Sequence, residues 1–143
     1  MDHVAIMKRS WGLTEKILSG QKTIESRWYK LKCRPWSKIT RGDLVYFKDS
    51  GKPISIKAKV SKVIQFQSLT PTRVAYILKR YGRDIGIEKK RTPEFLQRFI
   101  DKKYCILVFL KDIQSVNPFE IDKRGFGMMS AWISIDGISR IKL

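Results

Sequence analysis

Residues 20–28, GQKTIESRW, place two cations, a carboxylate and a tryptophan directly after a glycine that can end a helix. Gly20 suits a helix C-terminus because glycine adopts left-handed backbone angles without steric cost. The residues after it are predicted to form an extended strand, in which alternate side chains point to the same side. Glu25 and Arg27 are therefore expected to lie beside each other. The stretch is predicted to be a catalytic site, a nucleobase pocket, or a strand held in place by ion pairs.

Two strands are predicted downstream of this motif. LVYFK, residues 44–48, follows a Gly-Asp turn, and PISIKAKV, residues 53–60, follows the hairpin turn at residues 49–51. Apolar and basic or hydroxyl side chains alternate in the second strand, so one face is expected in the core and the other in water. The alternation slips at residues 61–62, where we expect a bulge that bends the strand around a barrel.

Two Thr-Pro pairs, at residues 70–71 and 92–93, are each predicted to be an N-cap threonine followed by a proline at the first helical position, and they mark the starts of two helices inserted between strands. YCILVFL, residues 104–110, reads as a buried strand. A last strand is predicted with inward-facing side chains at Ala131, Ile133 and Ile135. The predicted fold class is α+β: a small β-barrel of mostly antiparallel strands with flanking helices and a two-helix insertion. The length and the lack of repeats or linkers predict one domain, residues 1–143.

The charge of the chain is strongly positive. Thirty Lys and Arg residues against thirteen Asp and Glu residues give a formal net charge of 30 − 13 = +17. Such a field attracts polyanions through counterion release, so nucleic acid is the expected partner, with RNA favoured and DNA left open. The alternative is a lysine-rich surface that serves solubility.

Several other classes of protein are not indicated. No apolar run approaches the roughly 20 residues that cross a bilayer, and the first residues lack the features of a signal peptide, so we expect a cytoplasmic protein without a membrane partner. The chain has a single histidine, His3, and its cysteines, Cys33 and Cys105, are far apart. Neither a metal site nor a cofactor is predicted.

The motif G-x-K-T-x-E-x-R after a short helix resembles the ASCH domain, a member of the PUA-like superfamily. RGDLVYF, residues 41–47, and GFGMMSAWISIDGI, residues 125–138, are similar to later parts of that domain. The resemblance implies a β-barrel with a cleft beside the first helix, lined by Lys22, Glu25 and Arg27, and a role in RNA binding or RNA-linked regulation.

The superfamily also implies two kinds of ligand chemistry. Related PUA-like domains bind RNA or hold a modified base in an aromatic pocket. One ASCH branch removes the acetyl group of N4-acetylcytidine with a lysine and a threonine three residues later. This chain has Lys22 at the first of these positions and Glu25 at the second.

A ligand pocket is predicted around the motif. Glu25 would accept a hydrogen bond from an exocyclic amine or a ring N–H, while Lys22 and Arg27 would meet a carbonyl or phosphate. Aromatic walls would add stacking, at about 1–3 kcal/mol per base. The complete predicted pocket is Lys22, Glu25, Arg27, Trp28, Ser130 and Trp132. The alternative is that the charged residues form an ion-pair cluster that contributes little.

A basic and aromatic segment follows the motif. WYKLKCRPWSKITR, residues 28–41, has no acidic residue, and this combination is typical of single-strand or loop recognition. Lysines of the strand at residues 53–60 and an arginine beside the glycine loop are expected to extend it. The predicted phosphate-binding residues are Lys30, Lys32, Arg34, Lys38, Arg41, Lys57, Lys59 and Arg124.

Three functions follow from these patterns. The first is a nucleic-acid-binding domain, with RNA favoured, whose basic cleft holds a single or modified base. The second is a hydrolase acting on nucleosides or RNA, either an N4-acetylcytidine amidohydrolase or a ribonuclease, with Lys22 and Glu25 as its catalytic pair. The third is a protein-interaction module in transcription or translation regulation that docks a partner through its two-helix insertion.

Overall fold

The computed structural model describes residues 1–127 and 129–143. Its centre is one six-stranded sheet in the order β2-β5-β4-β3-β1-β6, which curls into a half-barrel. Strands β1 and β3 are parallel, and every other neighbouring pair is antiparallel. The strands are β1 Asp2–Met7, β2 Ile24–Tyr29, β3 Leu44–Asp49, β4 Ile54–Phe66, β5 Tyr104–Phe119 and β6 Trp132–Ile135.

Helices flank this sheet, and two of them form the predicted insertion between β4 and β5. The helices are α1 Leu13–Ser19, α2 Pro71–Ile85 and α3 Thr92–Phe99, with short 3-10 turns at Arg9–Trp11, Lys89–Arg91 and Ile138–Arg140. The predicted α+β class is confirmed. None of the helices in the described parts of the chain has the length and apolarity to cross a bilayer.

Several local predictions hold in the structure. Gly20 follows α1 with φ 83°, in the left-handed region. The Thr70 hydroxyl accepts a hydrogen bond from the Arg73 amide at 3.2 Å, as an N-cap does. The pairing of β4 with β5 shifts register between Val60 and Lys62, at the predicted bulge.

Two local predictions are wrong. Thr92 does not cap α3, because the preceding 3-10 turn runs directly into the helix and gives Thr92 helical angles of φ −54° and ψ −44°. Ala131 is exposed rather than inward-facing. It precedes β6, and its carbonyl instead accepts a hydrogen bond from the amide of Ile6 in β1 at 2.9 Å.

Apolar side chains pack on both faces of the sheet. The concave face packs inside the curl against α1, and the convex face packs against α2 and α3. Trp132 belongs to the first layer and Trp28 to the second, where its ring stacks on Phe99 at 4.4 Å between centroids. The two inserted helices therefore cover the outside of the half-barrel rather than projecting from it.

His3 is fully buried in β1 and connects three parts of the sheet. Its Nδ1 accepts a hydrogen bond from the Trp132 indole at 3.1 Å and lies 2.9 Å from the Ser134 hydroxyl. Because an indole nitrogen only donates, Nδ1 carries no proton, and Nε2–H donates to Asp43 at 2.9 Å. The histidine is therefore neutral.

The fold is expected to lose stability in mild acid because of His3. Burial lowers the pKa of its imidazole below the ordinary value of about 6.5, although Asp43 opposes this shift. The unfolded chain therefore binds a proton before the folded protein does, and stability present above pH 6.5 falls as the pH decreases below it. Urea unfolding at half-unit steps from pH 7.5 to 5 measures the slope. Because His3 is the only histidine in the sequence, His3→Gln is expected to remove this pH dependence of stability. An unchanged slope would contradict its attribution to His3.

Candidate functional site

The edge strands of the half-barrel are β2 and β6, and an open seam separates β2 from β6 and from the end of β1 that β6 does not cover. Alternate backbone groups of β2 face this seam rather than β5. The Lys22 ammonium donates to the carbonyl of Ile24 at 2.7 Å, and the Glu25 carboxylate accepts from the amide of Ser26 at 3.2 Å. Side chains of the motif thus satisfy backbone groups that a further strand would otherwise pair.

Lys22, Glu25 and Arg27 form a buried charge network at this edge. Lys22 is 1% exposed and Glu25 3% exposed. Lys22 Nζ lies 3.0 Å from Glu25 Oε1, and Arg27 Nη2 lies 2.9 Å from Glu25 Oε2. Lys22 also donates to the carbonyl of Ile85 at the end of α2, at 2.6 Å. All three ammonium hydrogens of Lys22 and both oxygens of Glu25 are therefore engaged.

The pKa values of the buried pair reflect burial and mutual attraction. Burial lowers the pKa of Lys22, and Glu25 compensates only in part. Burial acts to raise the pKa of Glu25, but Lys22 and Arg27 outweigh it and hold that pKa below its usual value. Glu25 is thus a carboxylate at neutral pH whose oxygens already accept hydrogen bonds. In this arrangement neither member of the pair presents a free atom for proton transfer to a substrate.

Arg27 spans the seam with its guanidinium group. It donates to the carbonyls of Ala131 at 3.1 Å and Ile6 at 3.4 Å, and it lies 5.1 Å from the centre of the Trp132 ring. Two further N–H groups donate to Glu25, at 3.2 and 2.9 Å. The Arg27 side chain therefore connects β2 with β1 and with the residue before β6, although among the described residues no backbone hydrogen bonds pair β2 with either strand.

A cleft of about 510 Å³ opens at this seam, between α1, the insertion and the loop before β6. Its size is within the usual range for small-molecule sites. The aromatic residues of its wall are Trp11, Trp28, Tyr29, Phe95 and Phe99, and the basic residues are Lys8, Lys16, Lys22, Arg27, Arg91 and Lys123. Among the described lining residues, Glu25 is the only acidic one.

Cations and aromatic rings alternate on the α3 side of the cleft. Lys8 Nζ lies 5.0 Å from the centre of the Trp11 ring, and the Arg98 guanidinium lies 4.9 Å from it. Trp11 contacts Phe95 edge-on at 5.7 Å, and Arg91 lies 5.1 Å from the centre of Phe95. Aromatic rings and positive charge therefore lie together at this rim, in cation–π contact with each other.

Comparison with solved structures gives similar folds at low sequence identity. The ASCH protein from Zymomonas mobilis is 17% identical, with a TM-score of 0.65, covering 94% of this chain and 87% of that one. Its tyrosine-to-phenylalanine mutant gives 16% identity and a TM-score of 0.68 over 97% and 93% of the two chains. The hypothetical protein PH0355 gives 18% identity and a TM-score of 0.52 over 81% and 100%. The chain has an ASCH-domain fold. No protein-family model and no curated protein matches it.

The ASCH fold brings most of the predicted pocket residues together. Lys22, Glu25, Arg27, Trp28 and Ser130 all line the cleft, whereas Trp132 lies behind Arg27 in the barrel core. Trp28 is largely covered by Phe99, and its indole donates to the Ser26 hydroxyl at 3.0 Å.

The predicted phosphate-binding residues lie outside the cleft of this ASCH fold. Within residues 30–41, Lys30 pairs with Asp101 at 2.9 Å, and Lys32 lies 5.6 Å from the Trp36 ring. Lys57 and Lys59 sit on β4, and Arg124 pairs with Asp122 at 2.7 Å. The remaining predicted members, Arg34, Lys38 and Arg41, are exposed in the loop between β2 and β3. None of the eight predicted phosphate-binding residues is among the described residues that line the cleft.

Sequence reasoning missed much of the cleft wall. Lys8 and Trp11 come from the turn before α1, Lys16 from α1, and Arg91 and Phe95 from the insertion. Their contribution depends on how α3 docks beside β2, which no local pattern encodes. The tetrapeptide KRSW at residues 8–11 has the same mixture of cations and tryptophan as residues 28–41, and it is the one indication that the sequence offers.

Proposed function

We propose that this protein binds RNA and that its cleft accepts a single unstacked nucleobase. The observation that carries the proposal is the composition of the cleft wall: its described residues include five aromatic and six basic ones, with one carboxylate that the protein already uses. Aromatic faces stack on bases, and cations hold phosphates, so this combination suits single-stranded nucleic acid. The net charge of +17 supplies long-range attraction for the same partner.

The predicted residues would then divide into three roles. Lys22 and Glu25 hold Arg27 in place, and Arg27, Trp28 and Ser130 border the inserted base. Outside the cleft, the backbone phosphates of the RNA would meet the basic surface of Lys30, Lys32, Arg34, Lys38, Arg41, Lys57, Lys59 and Arg124. Specificity would come from the cleft, and most of the salt dependence would come from the surface.

Removing one aromatic wall of the cleft is expected to weaken RNA binding without changing its salt dependence. Trp11→Leu should lower the affinity for single-stranded RNA by about tenfold, because stacking on an aromatic contributes about 1–3 kcal/mol per base. Tyr76→Leu is the matched control, since Tyr76 is an exposed aromatic of α2 that does not line the cleft. Circular dichroism checks that both variants fold.

Salt titrations with single-stranded RNA, duplex RNA and duplex DNA complete the test. Neutralising Lys30, Lys32, Lys38 and Arg41 together should reduce the salt slope for single strands by about 0.7 for each phosphate that the protein no longer neutralises. If all three nucleic acids bind equally and Trp11→Leu changes nothing, the positive charge only attracts polyanions and the proposal fails.

A further inference from the structure

Five acceptor groups beside the cations of the cleft already accept hydrogen bonds from the protein itself. The carbonyl of Ile85 accepts from Lys22, and the carbonyl of Gly86 accepts from Lys16 at 2.9 Å. Both oxygens of Glu25 are taken by its neighbours. Arg27 uses the two carbonyls on the opposite side of the seam. A ligand amino group placed beside these five groups would therefore compete with the protein's own donors for them.

Hydrogen-bond donors, in contrast, remain. Lys16 spends one ammonium hydrogen on Gly86, which leaves two. Arg27 lines the cleft, and among the described residues four of its five N–H groups have acceptors, so one Nη1 hydrogen remains. The Ser26 hydroxyl accepts from Trp28 and keeps its own hydrogen. The cleft wall thus presents hydrogen-bond donors from three different side chains.

We infer that the base inserted in this cleft carries an oxo group rather than an amino group at C4 of a pyrimidine or C6 of a purine. The inference rests on the proposed function and specifies its ligand: a uracil- or hypoxanthine-type base in preference to cytosine or adenine. An oxo group accepts from Arg27 or Lys16. An amino group at the same place would face donors and would lose its hydrogen bonds to water. The amino group and the protein donors would then both lack a partner, and binding sites discriminate strongly against such a ligand.

This inference reverses the role that the sequence predicts for Glu25. The sequence predicts that Glu25 accepts from an exocyclic amine, but its oxygens bind Lys22, Arg27 and the Ser26 amide instead. It acts on the ligand through Arg27, as a positioning residue. The member of this network that contacts the ligand is therefore the Arg27 guanidinium, which is positively charged.

Two matched nucleotide pairs test the preference, UMP against CMP and IMP against AMP. Within each pair the phosphate, sugar and ring size are the same, and the oxo group at C4 of the pyrimidine or C6 of the purine is exchanged for an amino group. Each nucleotide is titrated against a fluorescent single-stranded RNA bound to the wild-type protein. We expect UMP to compete roughly tenfold better than CMP, and IMP roughly tenfold better than AMP, as for one well-made set of base contacts.

The ring nitrogen beside the exchanged group also differs within each nucleotide pair, so competition with the wild-type protein alone does not locate the preference. Lys16→Met tests whether the preference comes from the cleft. The variant should reduce the discrimination in both pairs, whereas Lys79→Met, at an exposed position of α2 outside the cleft, should retain it. Equal or tighter competition by CMP and AMP would overturn the inference and leave base binding intact. If no nucleotide displaces the RNA, base insertion itself fails, and the inference fails with it.

Discussion

Glu25→Ala is expected to lower the free energy of unfolding by about 3–5 kcal/mol, the usual cost of removing one partner from a buried ion pair. The substitution leaves the Lys22 ammonium buried without its counter-charge and removes the acceptor of the Ser26 amide. It also releases two hydrogen bonds of Arg27. Urea denaturation followed by tryptophan fluorescence measures the change.

A control and a compensating variant separate this network from ordinary surface charge. Glu94→Ala removes a carboxylate that pairs with Arg91 and Arg98 on the exposed side of α3, and it should leave stability almost unchanged. The compensating variant is the double substitution Lys22→Met, Glu25→Gln. It removes the buried ammonium, and the new amide oxygen at position 25 can still accept from Arg27, so the double variant should be more stable than Glu25→Ala. A small effect of Glu25→Ala would mean that water reaches the network and that the residues form the weak surface cluster considered from the sequence.

Arg27→Met is expected to open the seam between β2 and β1 and to lower the free energy of unfolding by about 3 kcal/mol. The estimate takes two charged hydrogen bonds at roughly 1.5 kcal/mol each. The substitution removes the hydrogen bonds to the carbonyls of Ala131 and Ile6. Hydrogen exchange gives the local readout: the Ile6 amide, which donates to the Ala131 carbonyl that Arg27 also binds, should exchange faster, while amides between β3 and β4 stay protected.

Arg140→Met is the matched control for this prediction. Arg140 also lies near β6 and pairs with a carboxylate, Asp136, but both side chains are exposed. Its removal should change neither global stability nor the exchange of Ile6. Uniformly faster exchange in Arg27→Met would contradict the assignment, because it would indicate general destabilisation instead of a local opening.

The sequence predicts the elements of this fold because their periodicity is local. Alternation in β4, the Thr70-Pro71 pair and Gly20 each follow from the preferences of a few neighbouring residues. The N-cap prediction for α3 is wrong for a related reason: a 3-10 turn ahead of Thr92 has no distinctive sequence pattern, so the predicted helix start is one residue late.

The candidate site is predictable only where it coincides with the motif. Glu25 and Arg27 lie two residues apart on one strand, so their contact follows from strand geometry alone. The burial of Lys22 depends on the carbonyl of Ile85, which is 63 positions away in the chain. The hydrogen bonds that occupy the Glu25 oxygens include one from Lys22, whose position depends on that distant contact, so the sequence alone does not show how Glu25 is used.

The capping of β2 by side chains also has a consequence for self-association. An unpaired strand edge can pair with the same edge of another molecule, and this is a common start of aggregation. Here the carbonyl of Ile24 and the amide of Ser26, which a second chain would need, are already bonded to Lys22 and Glu25. The residues that hold the seam of one molecule together therefore also keep that edge from joining two molecules.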